Sequence, residues 1–475
     1  MKMKSILVWF RRDLRVSDNP ALAAAVATER PIVPVFIWAP EEESPWEPGA
    51  ASCWWLHHSL VALRKQLESM GSRLLIRRGP TVQTLRELLL EADADSVYWN
   101  RLYEPALIQR DTALKVDLRD GGYSARSFNG ALLFEPGAVQ NQSGRPFQVF
   151  TPFWKSCLSR DEPDAPSAPP RRLTAPAAWP TSEAVGDLRL LPTIAWDEGL
   201  YETWTPGEAS AAALLDRFAD GAMAQYKQRR DVPAESATSR MSPHLHFGEI
   251  GPRQIWHRIQ QAIAENNQRG IVANGEFYLR EVGWREFAHH LLFHFPHTPE
   301  QPLRAEFADF PWRDDPDTLR AWQRGRTGYP IVDAGMRQLW RTGWMHNRVR
   351  MVVASFLVKH LLLPWQAGAR WFWDTLVDAD LANNTLGWQW AGGCGADAAP
   401  YFRIFNPMLQ GHKFDQAGAY VRHWVPEVKD IPDDAVHEPW TAASPPPADR
   451  YPGPIVDHKA GRERALAALS EIKKT

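Results

Sequence analysis

The sequence predicts an α/β N-terminal half, built as a doubly wound parallel sheet, followed by an all-helical C-terminal half. Over the first 130 residues, short apolar runs alternate with amphipathic helical patterns, which is typical of a parallel sheet covered on both faces. From about residue 209 onward the patterns are nearly all helical. We therefore expect an α/β domain over residues 1–132, an interdomain linker over 133–208 and a helical domain over 209–475.

Four segments of the first half are candidate strands: ILVWF, PIVPVFIW, RLLIRRG and SVYWN. Helical periodicity separates them in WWLHHSLVALRKQLESM and TVQTLRELLLEADA, and Pro20 near a first helical position marks an earlier helix. The sequence contains no GxGxxG or Walker-type loop, which disfavours an ordinary dinucleotide or nucleoside triphosphate site. The stretch 158–208 is rich in Pro, Ala, Asp and Ser and is expected to be linker without regular elements.

Composition sets further limits on function. The net charge of −2 provides no global basic field, although a local basic groove for nucleic acid stays open. Cys53, Cys157 and Cys394 are scattered, and the histidines lack ligand spacing, so we expect no metal site and no disulfide framework. No apolar run is long enough for a membrane span, and a cytoplasmic location is expected. The 23 tryptophans suggest ring stacking or electron transfer.

Three segments combine polar and aromatic residues in ways that packing alone does not require. In FYLREVGWREFAHHLLFHF one helical stripe contains Glu281 and Trp284 among apolar residues, completed by Phe277, Ala288, Leu292 and Phe295. A carboxylate there is either satisfied by a neighbouring arginine or faces a cavity.

The other two segments lie further along the chain. At the start of the helix predicted in WMHNRVRMVVASFLVKHLLL, Asn347, Arg350 and Met351 share a face and Arg348 points elsewhere. This combination of polar, cationic and apolar side chains indicates either the rim of a binding pocket or a helix N-terminus capped by its own polar residues. The segment DADLANNTLGWQWAGG is expected to be a ligand-lining loop.

Together, seven segments in family order resemble the DNA photolyase/cryptochrome family over essentially the whole chain. They are LVWFRRDLRVSDNPAL, QYKQRRDVPAESATSRMSPHLHFGEI, LREVGWREF, GRTGYPIVDAGMRQL, GWMHNRVRM, DADLANNTLGWQW and DAAPYFRIFNP. The resemblance implies a Rossmann-like N-terminal domain and a helical domain that binds FAD. It assigns the FAD phosphates to Tyr226, Thr238, Ser239, Arg240, Met241 and Ser242, and the flavin region to Tyr278, Arg350, Asp378, Asp380 and Asn384.

The resemblance also implies light-driven repair of cyclobutane pyrimidine dimers in UV-damaged DNA. Trp284 and Trp390 would flank a flipped-out dimer, Glu281 and Asn347 would hydrogen-bond its polar edges, and Met351 would pack against it. Arg230, Arg348 and Gln410 would hold backbone phosphates. Trp388, Trp365 and Trp312 match the family's electron route from the surface to the flavin. We expect a monomer without an obligate protein partner.

Single residues distinguish the alternatives within the family. A (6-4) photolyase would have histidines in place of Asn347 and Met351, and the alternative from another class is a cryptochrome blue-light receptor. A folate, 5,10-methenyltetrahydrofolate, is one candidate for an antenna chromophore, whose presence and identity the sequence leaves open. However, Ala106 and Leu107 replace the usual Asn-Glu pair, and Glu300 replaces a lysine, so a different binding mode is required.

Overall fold

The computed structural model describes residues 3–266, 269–397 and 403–472. Its N-terminal half is a five-stranded, all-parallel sheet with the strand order β3-β2-β1-β4-β5. The strands are β1 Ser5–Phe10, β2 Ile32–Trp38, β3 Leu75–Arg78, β4 Ala94–Asn100 and β5 Ser124–Phe128. The four strands predicted from apolar runs are confirmed. β5 was missed because its sequence, SARSF, is mostly polar and lies at the sheet edge, where fewer of its side chains are buried.

Helices cover both faces of this sheet, which confirms the doubly wound class. They are α1 Pro20–Val26, α2 Ala50–Ser69, α3 Thr81–Glu91 and α4 Pro105–Asp120. Ile6 and Val8 of β1 join a core with α1 and α2, whereas Leu7 and Trp9 join a core with α3 and α4. This alternation follows from the period of two along a strand.

The segment 133–208 contains two α-helices, α5 Phe150–Leu158 and α6 Glu198–Thr203, so the expectation of no regular elements over 158–208 is wrong. The buried side chains of α5 pack into a core of the helical half. Leu173 and Val185 are buried against the α/β half instead. The segment therefore contributes core residues to both halves, in addition to connecting them.

The C-terminal half is helical, as the sequence predicts. Its helices are α7 Glu208–Asp220, α8 Tyr226–Arg229, α9 Ser242–His246, α10 Pro252–Glu265, α11 Arg269–His294, α12 Pro316–Gln323, α13 Pro330–Thr342, α14 Asn347–Ser355, α15 Trp365–Thr375, α16 Leu381–Gly392, α17 Pro407–Phe414, α18 Ala419–Trp424 and α19 His458–Ile472. A π-helical turn, Phe356–His360, extends α14. Residues 398–402 of the DAAPYFRIFNP motif lie outside the described residues.

The carboxylate of Glu249 links the two halves. It is fully buried and accepts hydrogen bonds from Trp55 Nε1 at 3.2 Å and from Ser59 Oγ, both on α2. On the helical side, the Gly207 N–H donates to it at 2.7 Å and His244 Nδ1 lies 2.5 Å away. A buried carboxylate is tolerated only when it is fully hydrogen-bonded, so this contact fixes how the halves meet.

In residues 3–266, 269–397 and 403–472, no helix combines the length and apolarity that crossing a bilayer requires. The same residues contain no group of three or more His, Cys, Asp or Glu side chains suited to a metal ion.

Four buried histidines predict that acid destabilises the fold. Burial lowers the pKa of His290, His346 and His437 to about 4 and that of His360 to about 3. Below pH 6.5 the histidines of the unfolded chain bind protons, whereas these four buried histidines of the folded protein stay neutral. The free energy of unfolding should therefore fall by about 1–2 kcal/mol per histidine between pH 7 and pH 5. His289, whose pKa is raised, acts in the opposite direction.

Urea unfolding followed by tryptophan fluorescence at the two pH values measures this loss. Replacing buried His437 by Gln should reduce the pH dependence, whereas replacing exposed His423 by Gln should leave it unchanged. Stability that is equal at pH 7 and pH 5 would contradict the assignment of these histidines as neutral.

Candidate functional site

Glu281 lies on α11 and is paired with an arginine in the free protein. Arg230, directly after α8, donates from Nη2 to Glu281 Oε2 at 3.0 Å, and its Nη1 contacts Oε1. The guanidinium also lies over the rings of Tyr226 and Phe277, 5.2 and 5.4 Å from their centroids. Because the Glu281 side chain is 29% exposed, the carboxylate is both satisfied by an arginine and accessible to a ligand.

Trp284, one helical turn from Glu281, has one face covered. It stacks on Phe150 with ring centroids 3.8 Å apart and planes within 9°. The indole is partly buried, so some of its surface stays accessible while Phe150 covers one face. Phe150 begins α5, and sequence reasoning missed it because a nine-residue helix inside an expected linker shows too little periodicity.

The N-terminus of α14 presents Asn347 and Met351. His346 caps this helix, with Nδ1 accepting from the Arg348 N–H at 3.2 Å, and burial lowers its pKa to about 4. Asn347 is exposed and Met351 is partly buried. The prediction that Arg348 points away from Met351 is wrong, since its Nη1 lies 3.9 Å from the methionine sulfur. Residues three apart are neighbours on a helix surface.

An ion pair joins α14 to the segment before α16. Arg350 Nη2 donates to Asp378 at 2.8 Å (Oδ2) and 3.1 Å (Oδ1), and Arg350 Nε donates to the carbonyl oxygen of Met345 at 2.8 Å. The structure thus brings together two residues that the resemblance places beside the flavin ring.

Residues 381–392 form helix α16, so the prediction of a ligand-lining loop is wrong. Asp380 caps this helix, accepting the Asn383 N–H at 2.8 Å, and such a cap starts a helix despite its polar first residues. Asn384 is partly buried and donates from Nδ2 to the Ala369 carbonyl at 3.0 Å. A spacing of two turns the helix by about 200°. Accordingly, Trp388 is buried and Trp390 is half-buried.

Two histidines flank Asp380. His289 Nε2 and His246 Nδ1 lie 3.4 and 3.9 Å from its Oδ2. Burial alone would raise the pKa of Asp380, but these neighbours hold it well below its usual range. Burial likewise opposes protonation of His289, yet the Asp380 carboxylate raises the pKa of that ring. The sequence gives no sign of these contacts, since only the fold brings His246 and His289 to Asp380.

The segment 238–242 places hydroxyl groups beside an arginine. Tyr278 donates from its hydroxyl to Ser239 Oγ at 2.9 Å, and the Met241 N–H lies 3.4 Å from the same oxygen. Arg240 adopts a left-handed backbone, φ +55°, and its guanidinium lies 4.2 Å from the ring centroid of Trp204. Its buried Nε has no hydrogen-bond partner within the described part of the chain.

These residues fit the phosphate end of FAD. A buried guanidinium N–H without a partner needs an acceptor, and a phosphate oxygen is a strong one. Thr238 is partly buried and Ser242 begins α9, so further hydroxyls lie along the same segment. Tyr226 is buried, with its ring centroid 5.3 Å from that of Tyr278, and burial raises its pKa, which keeps its hydroxyl neutral.

Trp388, Trp365 and Trp312 belong to one hydrophobic core. The first two are buried, and Trp312 is partly buried beside Phe310 at a centroid distance of 4.4 Å. The ring of Trp388 lies directly over Gly368 of α15, where a Cβ would come within 2.0 Å of its Cη2 atom. Glycine at this position is what leaves room for the indole.

Helix α17 lies beside α14 and carries Gln410. Its Phe414 ring centroid is 4.4 Å from the guanidinium carbon of Arg348. Gln410 is partly buried, and its Oε1 has no hydrogen-bond partner among the residues described. The ring centroid of Trp390 lies 6.3 Å from that of Phe405. The structure also pairs Arg348 with Asp231, Nη2 to Oδ2 at 2.8 Å, a residue that the sequence analysis did not single out.

A separate pocket opens at the carboxyl ends of β1 and β2. Ligands of open parallel sheets bind at this edge. Its walls combine aromatic and cationic side chains, among them Trp9, Arg11, Arg12, Trp38, Arg110 and Trp373, together with Leu107.

Comparisons with known proteins match both halves of the chain. A protein-family model described as DNA photolyase matches residues 6–171, and one described as the FAD binding domain of DNA photolyase matches residues 278–471. A deoxyribodipyrimidine photo-lyase of Agrobacterium fabrum is 51% identical over 100% of this chain and 99% of its own length. Cryptochrome-1 of Arabidopsis thaliana is 41% identical over 98% of this chain and 70% of its own.

The fold agrees with a solved relative throughout. The crystal structure of a bacterial class III photolyase from Agrobacterium tumefaciens is 50% identical and superposes with a TM-score of 0.95, covering 100% of this chain and 99% of that one. The chain therefore belongs to the DNA photolyase/cryptochrome family, as an enzyme of photolyase type with FAD as its cofactor.

Proposed function

We propose that this chain repairs cyclobutane pyrimidine dimers in UV-damaged DNA, using light and reduced FAD. One observation carries the proposal: Trp284, stacked on Phe150, remains partly exposed one helical turn from the accessible Glu281. A planar ligand with a polar edge matches that pair. Flipping the target base out of the duplex is an established behaviour of photolyases in general.

We call the exposed and partly exposed side chains of Glu281, Trp284, Asn347, Met351 and Trp390 the opening, and propose that they divide the recognition of a flipped dimer. Trp284 and Trp390 would stack against its apolar faces, a contact worth about 1–3 kcal/mol per base. Glu281 and Asn347 would hydrogen-bond its polar edges, and Met351 would fill the space against the ring. Arg230, Arg348 and Gln410 would hold backbone phosphates, which carry no sequence information. The protein would act as a monomer.

Reduced FAD, when bound, supplies the light-excited electron that opens the dimer and takes that electron back. Arg240 and the hydroxyls of Thr238, Ser239 and Ser242 would hold the phosphates, with Met241 and Tyr226 beside them. The ion pair Arg350–Asp378 would orient the flavin ring together with Asp380, Tyr278 and Asn384. Trp388, Trp365 and Trp312 would carry electrons from the surface when bound FAD is oxidised.

Specificity for cyclobutane dimers is supported at α14. A (6-4) photolyase would place histidines where Asn347 and Met351 stand. The neighbouring His346 is buried and occupied in capping the helix. Its lowered pKa keeps it neutral, so it cannot serve as a ready proton donor at neutral pH.

A cryptochrome function is the second candidate, favoured by the 41% identity to a plant cryptochrome. Blue-light repair of dimer-containing DNA by protein with reduced FAD decides between the two. If the dimers are not repaired under these conditions, the cryptochrome function replaces the repair function.

We further propose that the cavity at the sheet edge binds a folate antenna. Ala106 and Leu107 remove the usual Asn-Glu pair, and Leu107 lines this cavity instead. Glu300, which replaces the usual lysine, is paired with Arg370 at 3.1 Å. Trp38 is partly exposed and offers a flat surface for a pterin ring, whereas Trp9 is buried beneath the guanidinium groups of Arg11 and Arg110.

Replacing Glu281 by Gln should lower the number of dimers repaired per absorbed photon by about tenfold, with a smaller loss of dimer affinity. Glu281 would hold the polar edge of the dimer in the orientation that electron transfer requires, and an interaction made fully only in the reacting state lowers the barrier by more than it strengthens binding. Quantum-yield and binding measurements on one dimer-containing oligonucleotide test this. Glu276→Gln, on the exposed side of the same helix, serves as control. Normal yield with lost FAD would make Glu281 a structural residue.

Replacing Trp388 by Phe should abolish photoreduction of oxidised FAD while chemically reduced protein still repairs dimers. Phenylalanine fills most of the space, at about 1.5 kcal/mol or less, but is much harder to oxidise. Trp322→Phe, 6.2 Å away in the same core, is the matched packing control and should photoreduce normally. Photoreduction that survives in Trp388→Phe would mean that electrons enter elsewhere.

Replacing Trp38 by Ala should release the antenna and leave FAD bound. The purified wild type should then show near-ultraviolet absorbance beyond that of flavin, and the variant should lack it. Trp340→Ala, an exposed site outside the cavity, should keep both chromophores. A flavin-only spectrum of wild type incubated with 5,10-methenyltetrahydrofolate would refute the folate proposal.

A further inference from the structure

Four charged side chains of alternating sign form a continuous chain beside the opening. Glu281 pairs with the terminal edge of the Arg230 guanidinium. The Nε of Arg230 lies 3.9 Å from Asp231 Oδ1, and the other oxygen of Asp231 accepts from Arg348 Nη2 at 2.8 Å. Asp231 therefore lies between two arginines proposed above to hold DNA phosphates.

In the free protein, aromatic rings hold both arginines in place and carboxylates pair with their charges. Arg230 lies against the rings of Tyr226 and Phe277, and Arg348 lies over Phe414. Their side chains are only 14% and 19% exposed, whereas Asp231 is 33% exposed and remains accessible to an approaching phosphate. A DNA backbone arriving here meets arginines that are occupied by carboxylates of the protein itself.

We propose that Asp231 is a specificity-determining residue that disfavours undamaged DNA. The proposal rests on the proposed function, in which Arg230 and Arg348 bind phosphates and Glu281 binds the dimer. With undamaged DNA, Glu281 keeps the terminal edge of Arg230 and Asp231 keeps Arg348, so neither guanidinium is free for a phosphate.

A flipped dimer changes this arrangement. When the dimer hydrogen-bonds to the Glu281 carboxylate in place of Arg230, the terminal edge of the Arg230 guanidinium becomes free for a phosphate. Asp231 still faces the Nε edge of Arg230 and holds that guanidinium in place. The same carboxylate thus opposes backbone binding without a lesion and supports it with one, which increases the ratio of the two affinities.

The experiment compares Asp231→Asn with wild type by fluorescence anisotropy, on one duplex with and without a single cyclobutane dimer. We expect affinity for the undamaged duplex to rise about three- to tenfold, the range for one half-exposed charge contact. Affinity for the dimer duplex should change less, so discrimination falls. The salt dependence for undamaged DNA should steepen by roughly one counterion, because Arg348 becomes free for a phosphate.

Two further variants separate this role from general charge and from scaffolding. Asp216→Asn removes an equal charge from a distant pair with Arg258, 2.7 Å in length, and should leave discrimination unchanged. In the background Arg348→Gln, the gain from Asp231→Asn should disappear, since Asp231 acts through that arginine.

Three results would overturn the proposal: equal effects of Asp231→Asn and Asp216→Asn, equal weakening on both duplexes, or a gain that persists in Arg348→Gln. Failure of the proposed function is distinguishable, because wild-type protein would then show no preference for the dimer duplex.

Discussion

The buried ion pair between Arg350 and Asp378 is the interaction on which the geometry of the site depends. The Asp378 side chain is 2% exposed, so its charge requires this partner. Removing one member of such a pair typically costs about 3–5 kcal/mol. The pair fixes α14, which carries Asn347 and Met351, to the segment that leads into α16 and its tryptophans. A single contact between distant parts of the chain thereby sets the spacing of the walls around the opening.

Other buried carboxylates of the molecule are also satisfied by nearby donors or cations. Glu249 is satisfied by donors from both halves, and Asp380 by two histidines and its own helix cap. Each carboxylate holds elements that are far apart in sequence. The cores supply most of the stability of the fold, and these acids select one arrangement of the cores.

Much of the fold could be predicted from sequence because its signals are local. Apolar runs identified β1 to β4, and helical periodicity identified α11 and α14. β5 is short, polar and marginal, so it carried no such signal. α16 was taken for a loop because its composition is that of a binding segment, while its helical state follows from the Asp380 cap and burial of Trp388.

The site was predictable only in part, for a related reason. Motifs identified Glu281, Trp284 and Arg350, and the structure places the first two one turn apart on α11 and pairs the third with Asp378. The contacts that tune them were not predictable, because Phe150, Asp231 and His289 meet their partners only after long-range folding. Residue type indicates chemistry, and three-dimensional contact decides the charge and accessible face of each group.

The close approach of Gly368 to Trp388 has a consequence for how this indole responds to losing an electron. A ring held against a backbone glycine, Phe372 and Trp322 has no space to tilt or translate. Close packing of this kind makes an interior nearly incompressible. Oxidation would leave the ring where it was, and the nuclear rearrangement that slows charge movement in flexible media would be small here. The rate of electron transfer from Trp388 would then depend little on solvent viscosity. It would be set as much by the absence of a side chain at Gly368 as by the indole itself.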